Sequence, residues 1–503
     1  MSDQYIPEKE TGDPIHETAH YQQYARSYDF DSDMPYILQL PPEITLLIFN
    51  HAVTSHYYSP LSSRHETCPP PEVTVSHVCH VWRSLSLECA QLWVNFFHKG
   101  PVTSSTINRL VTFLARSETK LVNLWFDFEV YHSSDDMVMP SGIHERLALV
   151  HKTLLHAPRW NSFTLKALGT SIVRMMLADL LSIVPAAPNL KHYSFCIGNT
   201  KERFAFPQNL EGMSFRKNTP ILKSVVLDAS FLQLGRPPLT NVTTLRLEMP
   251  HLDPSRKLPL PWPLFIELIS LPILESLSID GNIPEGIDFD RNTVILLKNL
   301  KHLRYSGERN IGCLLPQLAA PRLQSLVVRD EWFPKEPDLN TMNIRPRPFP
   351  SLQTLSLIHP SPAAREFIDY FTHLTSSATK VIIIEKDDTN VLATLSGLGR
   401  TLWPKLQVLT CIFDPGLKIK LVDLVCLVEG QEERILVQVL TKANEFWQLE
   451  HPEWYGMLTH FSEVESLGDH HPLWHASWPP GDEELDHFFD FEDPFRIHSF
   501  RSD

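Results

Sequence analysis

Three groups of residues in this chain have types and spacings that could do chemistry. His16-Glu17-Thr18-Ala19-His20 has the HExxH spacing. On a helix that spacing puts two imidazoles on one face to bind zinc, with the glutamate as general base. Here it stands in a polar, acidic stretch with no apolar helix around it, and Tyr21-Gln22-Gln23 follow where the metzincin continuation needs glycine. A metalloprotease reading therefore requires that stretch to be an ordered, zinc-loaded helix. His77 and His80 are an i, i+3 pair beside Cys79. They fall inside an apolar helical pattern, where exposed or satisfied histidines are the simpler expectation. Asn241-Val242-Thr243 is a glycosylation sequon, but Val242 is expected in a core strand.

Other chemistries are excluded by what is missing. Only 18 residues are Gly against 41 Pro, and neither GxxxxGK[ST], GxGxxG nor GxSxG occurs. Phosphate-cradling loops and nucleophile elbows need such glycines, so nucleotide enzymes and α/β-hydrolases are not expected. Seven cysteines (68, 79, 89, 196, 313, 411 and 426) are scattered without a CxxC pair. They imply neither a disulfide framework nor a zinc knuckle, and no metal or cofactor is expected. The net charge, 44 − 59 = −15, opposes phosphate-backbone binding and docking on anionic lipid. No apolar run approaches the roughly 18 residues of a membrane span. The polar start MSDQYIPEKETGD reads as neither a signal nor a transit peptide, so a cytoplasmic or nuclear location is expected. No small-molecule substrate, nucleic acid or membrane partner follows from these residues.

The elements that any functional residue must sit on are legible in the patterning. Residues 1–36 lack periodicity and are expected to be a disordered tail. LQLPPEITLLIFNHAV (38–53) opens with two prolines, has Glu43 in the first turn, and sets Ile44, Leu47 and Ile48 on one helical stripe. The polar stretch 54–72 contains three consecutive prolines and interrupts the helix. VTVSHVCHVWRSLSLECAQLWVNF (73–96) then repeats Val75, Val78, Cys79, Trp82 and Leu85 at three- and four-residue steps.

From about residue 120 the chain repeats. Segments beginning at 120, 159, 189, 221, 241, 273, 299, 322, 351, 377 and 405 share an L-x-x-L-x-apolar pattern, 20 to 39 residues apart. Pro188, Pro220, Pro272, Pro321, Pro350 and Pro404 stand just before six of them. Helical patterns lie between, at 144–157, 171–184, 263–271, 364–374 and 389–399. Alternation of like strands with helices implies parallel pairing, and units this small stack to share a core. The expected fold class is an α/β repeat: a small all-α module, then an irregular leucine-rich-repeat solenoid.

The segment 38–97 resembles an F-box. It carries Leu40-Pro41-Pro42-Glu43-Ile44, then Ile48-Phe49, then Val78-Cys79-His80-Val81-Trp82-Arg83, then Leu92-Trp93. With the array that follows, the layout is similar to the F-box families of mushroom-forming fungi. The insertion at 54–72 departs from the tighter turn usual there. The resemblance implies docking to the Skp adaptor and, through it, to a cullin–RING ubiquitin ligase. The residues implied in that contact are Leu40, Pro41, Ile44, Leu47, Ile48, Phe49, Val78, Cys79, Trp82, Leu92 and Trp93. Trp82 and Trp93 also suit the core of a helical cap. Leu40, Pro41 and Ile44 open the element and favour partner contact.

Along each repeat the leucines turn to the core and the residues between them turn to the other face. His192, Arg246, Glu248, Asp280, His302, Arg304 and Arg329 are thus candidates for contact with a substrate protein, with Ser194, Ser278, Val327, Ser356, Ile358, Thr410 and Ile412 on the same face. The expected domains are a tail over 1–36, the F-box-like module over 37–98, the array with its cap over 99–445, and an acidic aromatic tail over 446–503. The stretch 417–440 is apolar enough to be the cap. The final tail suits disorder that folds on a partner, an inert solubilising role, or packing of its Trp-rich part back on the array. The functional expectation is a non-catalytic substrate-recognition subunit of a Skp–cullin–F-box ligase. The alternative is a leucine-rich interaction scaffold with no ligase association.

Overall fold

The prolines before the repeats build the same turn each time. The N–H of Leu190, Leu222, Leu274, Leu323, Leu352 and Leu406 donates to the carbonyl of Ala187, Thr219, Leu271, Ala320, Phe349 and Trp403, at 3.0–3.2 Å. Proline occupies the second position of each turn, where its fixed φ is already correct. The chain then enters a strand with its first leucine committed to the core.

The structure is a computed structural model. It describes residues 35–58, 70–128, 142–168, 186–198, 219–228, 237–247, 260–281, 294–307, 314–329, 347–360, 365–385, 391–397, 402–413, 418–468 and 478–480, and the single residues 176 and 180. The long helices are α1 (Pro42–Tyr58), α2 (Pro71–Ser76), α3 (His80–Glu88), α4 (Ser104–Arg116), α5 (Ile143–Leu154) and α6 (Trp262–Ile269). They continue as α7 (Arg365–Leu374), α8 (Val391–Ser396), α9 (Lys418–Glu429), α10 (Thr441–Glu450) and α11 (Pro452–Phe461). The strands are β1 (Asn95–Lys99), β2 (Val122–Asp127), β3 (Trp160–Leu168), β4 (His192–Gly198), β5 (Ser224–Leu227), β6 (Thr244–Leu247), β7 (Ser276–Asp280) and β8 (Ile295–Leu296). They run on as β9 (His302–Ser306), β10 (Leu318–Ala319), β11 (Ser325–Arg329), β12 (Thr354–Ile358), β13 (Lys380–Ile384), β14 (Val408–Ile412), β15 (Ile435–Leu440) and β16 (Ser462–Leu467).

Among the described residues fourteen strands form one open parallel sheet in chain order, and β8 pairs with β10 apart from it. The fold is therefore mixed α/β, with a long parallel sheet that does not close into a barrel. Among the described residues no helix is long and apolar enough to cross a membrane.

The register carries whole rows of side chains across the sheet. Tyr193, Val225, Leu245, Leu277, Leu303, Leu326, Leu355, Val381, Leu409 and Val437 are mutual partners. All are buried in one core that extends from Phe49 to Leu458 and takes in helix residues such as Phe265, Phe371, Leu424 and Trp447. The helices therefore line the face of the sheet that carries these rows. Adjacent repeats are also tied at their turns. Asn189, Asn241 and Asn299 each donate from Nδ2 to the carbonyl of Pro158, Pro220 and Pro272, at 2.7–2.8 Å. Ser351 Oγ does the same to Pro321 at 2.7 Å.

Three boundaries differ from expectation. The sheet begins at β1, before the first recognised repeat near residue 120. The stretch 417–440 supplies a helix and an interior strand, not a terminal cap. The expected tail start at 446 falls inside α10, and the sheet ends only at β16. That last strand exposes Glu463 and Glu465, and an acidic edge discourages further pairing. The helical pattern expected over 171–184 lies outside the described residues except for 176 and 180, which are helical.

A buried ion pair fastens the late helices to the sheet. Glu385, just after β13, binds Lys420 of α9, their side chains 0% and 2% exposed. Its other oxygen accepts from the Leu392 N–H of α8 at 2.6 Å. Burial pushes the Glu385 carboxyl up, against the pull of Lys420 and that N–H. Removing one partner strands a buried charge, whereas replacing both by apolar groups does not. Lys420→Met should lower unfolding free energy by about 3–5 kcal/mol. Glu385→Leu/Lys420→Met should recover most of it, read by urea denaturation. A double variant as unstable as the single would refute this account.

His98 gives the pH dependence. It is buried on the core side of β1, its ring 6.2 Å from Phe128. Burial, then the charge of Arg109, lowers its pKa from 6.5 to about 4, against a hydrogen bond with the Gly100 backbone. A depressed folded pKa means stability that is full above about 6.5 and lost as pH falls through about 4. His98→Gln should shrink the fall in melting temperature between pH 7 and pH 4.5 relative to wild type; an unchanged fall would assign it elsewhere.

Candidate functional site

The helix α1 is apolar on two different faces. Thr45, Phe49 and Val53, spaced i, i+4 and i+8, are 3%, 1% and 3% exposed and face the core. Phe49 meets Trp82 edge-on at 4.8 Å between ring centroids. The neighbouring stripe of Ile44, Leu47 and Ile48 is 43%, 64% and 41% exposed, and Leu40 precedes it at 36%. Pro41 is exposed with them. A soluble helix normally gives its second face to polar residues.

The elements that hold this stripe are short and well anchored. Cys79 caps α3, its sulfur accepting from the Trp82 N–H at 3.4 Å. Arg83 Nε donates to the Ser76 carbonyl at 3.0 Å, closing the α2–α3 corner. Trp93 joins this corner to α4: Nε1 donates to the Ser86 carbonyl at 2.8 Å, Phe113 meets it at 5.1 Å, and the Arg116 guanidinium lies 4.3 Å over its ring.

The expected partner contacts therefore divide. Leu40, Pro41, Ile44, Leu47, Ile48 and Val78 face solvent. Phe49, Leu92 and Trp93 are core, at 1%, 1% and 2% exposure. They are corrected to structural residues, because a unit this small needs its bulkiest groups inside. Trp82 and Cys79 are half-buried, Cys79 acting as a cap. His77 and His80 are exposed. Tyr36, Ile37 and Val81, at 88%, 43% and 49%, are exposed apolar residues that the motif did not single out. Val81 lies three residues from Val78, a spacing that could have marked it.

The second candidate surface is the sheet face opposite the core. One row runs across all fourteen strands: Phe97, Trp125, Thr164, Ser194, Val226, Arg246, Ser278, Arg304, Val327, Ser356, Ile382, Thr410, Gln438 and Glu465. Neighbours in the row bond to each other. Phe97 stacks on Trp125 at 4.0 Å. Arg304 Nε donates to Ser278 Oγ at 2.7 Å. Thr410 Oγ1 donates to Gln438 Oε1 at 2.8 Å, and Gln438 Nε2 to Glu465 Oε2 at 2.6 Å.

Sequence alternation placed these residues on the correct face but predicted solvent there. Ser194, Arg246, Ser278, Arg304, Ser356 and Thr410 are all buried. Ile358, Ile382, Ile384 and Ile412 form a second apolar cluster on this side, with Val327 and Leu440 against it. The physical reason is direct at Arg304, whose guanidinium carbon lies 4.1 Å from the centroid of the Trp478 ring. Trp478 itself is 7% exposed. Part of the expected C-terminal tail is thus seated on the face expected to bind substrate. Asp280, Arg329, His192 and His302 are half-buried. Burial and the charges of Lys191 and Lys223 lower His192 to about 4. Burial and Lys301 lower His302, against the pull of Glu275. Both are neutral at pH 7, so they offer hydrogen bonds and not charge. Glu248, like His16 and His20, lies outside the described residues.

Among the described residues no group of three or more His, Cys, Asp or Glu is placed to hold a metal. The two surfaces are suited to non-covalent contact: one an exposed aliphatic stripe, the other a polar-to-aliphatic sheet face that accepts an aromatic ring. No protein-family model matches the chain, and no curated protein matches it.

The two faces of α1 should respond oppositely to substitution. Phe49→Ala should cost about 3–5 kcal/mol locally and accelerate amide exchange through α1 and α3. Leu47→Ala, on the exposed stripe, should change stability by less than about 0.5 kcal/mol. Equal effects at the two positions would overturn the assignment of faces.

Proposed function

We propose that this chain is a non-catalytic recognition subunit of a Skp–cullin–F-box ubiquitin ligase. In this reading the N-terminal helices are an F-box-like module that docks the Skp adaptor. The repeats are a leucine-rich array that holds a substrate protein. The observation that carries it is the exposed stripe of Leu40, Ile44, Leu47 and Ile48 on a helix whose opposite face is already packed. Such a stripe fits the helix-in-groove mode, in which a partner covers the second apolar face. Its position in the L-P-x-E-I segment of the resemblance supports the adaptor as that partner. Val78 and Val81, 57% and 49% exposed at the α2–α3 corner, extend the apolar surface.

The mechanism is proximity. The adaptor side fixes the chain to the ligase and the array side holds a substrate, raising the effective concentration of substrate lysines near the ubiquitin-loaded enzyme. No side chain of this protein needs to take part in bond making.

Co-purification with the Skp adaptor tests the reading. Wild type should elute with it in stoichiometric amounts. Pro41→Ala/Ile44→Ala should weaken binding by roughly thirtyfold to a thousandfold, since two buried aliphatic anchors contribute about 1–2 kcal/mol each. Its melting temperature should stay within about 2 °C of wild type. A well-folded wild type that does not bind the adaptor would refute ligase docking.

A further inference from the structure

The burial of Arg304 is unusual for what surrounds it. It sits mid-sheet on β9, 1% exposed, between Ser278 on one side and Val327 on the other. Arg246 lies one strand beyond Ser278 in the same row and is 6% exposed. Asp280, Ser306 and Arg329 make up the row beside it, and Ser276, His302 and Ser325 the row on the other side. Ser278 accepts from Nε and so fixes the plane of the guanidinium. A buried planar cation is a platform for an aromatic ring, and an Arg–Trp contact away from water is the stronger form of that interaction.

The ring on the platform is Trp478. Trp478 and Pro479 are both buried there, and Pro480 is exposed. They belong to no helix or strand of the array. β16, the last strand, ends at Leu467, and six strand steps separate β16 from β9. Those steps amount to roughly 29 Å along the sheet. The eleven residues from 467 to 478 reach at most about 36 Å. The tether thus lets Trp478 reach Arg304 while confining it to that neighbourhood, a geometry that gives an internal ligand an effective concentration of about millimolar.

We infer that the sheet face around Arg246, Ser278 and Arg304 is a receptor for an extended peptide carrying an aromatic side chain next to proline, and that Trp478-Pro479 is its internal occupant. A partner protein presenting such a segment displaces Trp478 and takes its place on Arg304. The surroundings of Arg304 are small polar and cationic, so an aromatic ring is the side chain that suits the guanidinium and the neighbouring serines accommodate the peptide backbone. The inference deepens the substrate-capture half of the function proposed above. It does not rest on adaptor docking, which can fail while peptide binding succeeds.

The test uses the full chain and a fluorescein-labelled peptide of residues 474–484, followed by fluorescence anisotropy. Trp478→Ala should bind the peptide at least tenfold more tightly than wild type, whose platform is already filled. Trp478→Phe, which keeps a ring on Arg304, should fall between them. Adding Arg304→Met to Trp478→Ala should weaken binding at least tenfold, and a peptide with alanine at 478 should not bind. Melting curves and hydrogen exchange across β9 and β11 check that each variant is folded. Equal binding by wild type and Trp478→Ala would overturn the occlusion. No binding by a folded Trp478→Ala, or binding indifferent to Arg304→Met, would overturn the receptor.

Discussion

Everything in this molecule depends on one register being kept through fourteen strands. Alternate residues of a strand point to opposite faces, so a slip of one residue would exchange core and opposite face for that repeat. The chain protects against slippage in two ways. Proline presets each turn, so the first leucine enters at a fixed angle. Between repeats, backbone bonds run in series: Lys223 N–H to Lys191, Thr243 to Lys223, Glu275 to Thr243, Lys301 to Glu275, and Gln324 to Lys301, at 2.7–2.9 Å. The Asn189, Asn241 and Asn299 side chains add bonds to the turn carbonyls of the repeat before. Loop length between strands can then vary widely without disturbing the core, because the turn and not the loop sets the phase.

The N-terminal helices obey a different constraint. The unit formed by α1, α2 and α3 is small, with too little volume to surround every apolar side chain it carries. It resolves this by ranking. The aromatic groups are drawn inward: Phe49 and Trp82 meet edge to face, and the Ser86 carbonyl accepts from Trp93. The smaller aliphatic groups Ile44, Leu47 and Ile48 remain outside. An exposed stripe of this kind is costly to solubility unless something covers it. Its position away from the sheet rows keeps it free of the constraint that fixes the repeats.

How much of this was legible depended on the range of the contacts involved. Strand phase is local, so the leucines of L-x-x-L-x-L were assigned to the core correctly and the prolines marked the turns. The start of α1 at Pro42 was equally local, whereas the single helical pattern read over 73–96 divides into α2, α3 and the start of β1. β1 and β15 were missed because Asn95–Lys99 and Ile435–Leu440 lack the leading leucine of the repeat. Phe49, Leu92 and Trp93 were credited with partner contact because a motif reports which residues recur, not which side they face. The burial of Arg304 was legible only as one alternative, the Trp-rich part of the tail packing back on the array: Trp478, 174 positions away in sequence, lies over its guanidinium, and no pattern near either residue announces that pairing.

The face opposite the core is not uniform, and that decides which part of it can exchange occupants. Toward the C-terminal strands it is aliphatic: Ile358, Ile382, Ile384 and Ile412 are all at or below 5% exposure. Uncovering four such side chains would cost on the order of 1.5–3 kcal/mol each, a large share of the stability of an ordinary domain. That half must stay covered for the array to persist. Toward the middle the face is serine, threonine and arginine, and one of the contacts there is a ring on a guanidinium, about 0.5–2 kcal/mol. Polar residues released to water lose little, since water replaces their partners. The neighbourhood of Arg304 is therefore the part of this face whose occupant exchanges at the lower cost, and Val327, which packs against the isoleucines, marks its edge.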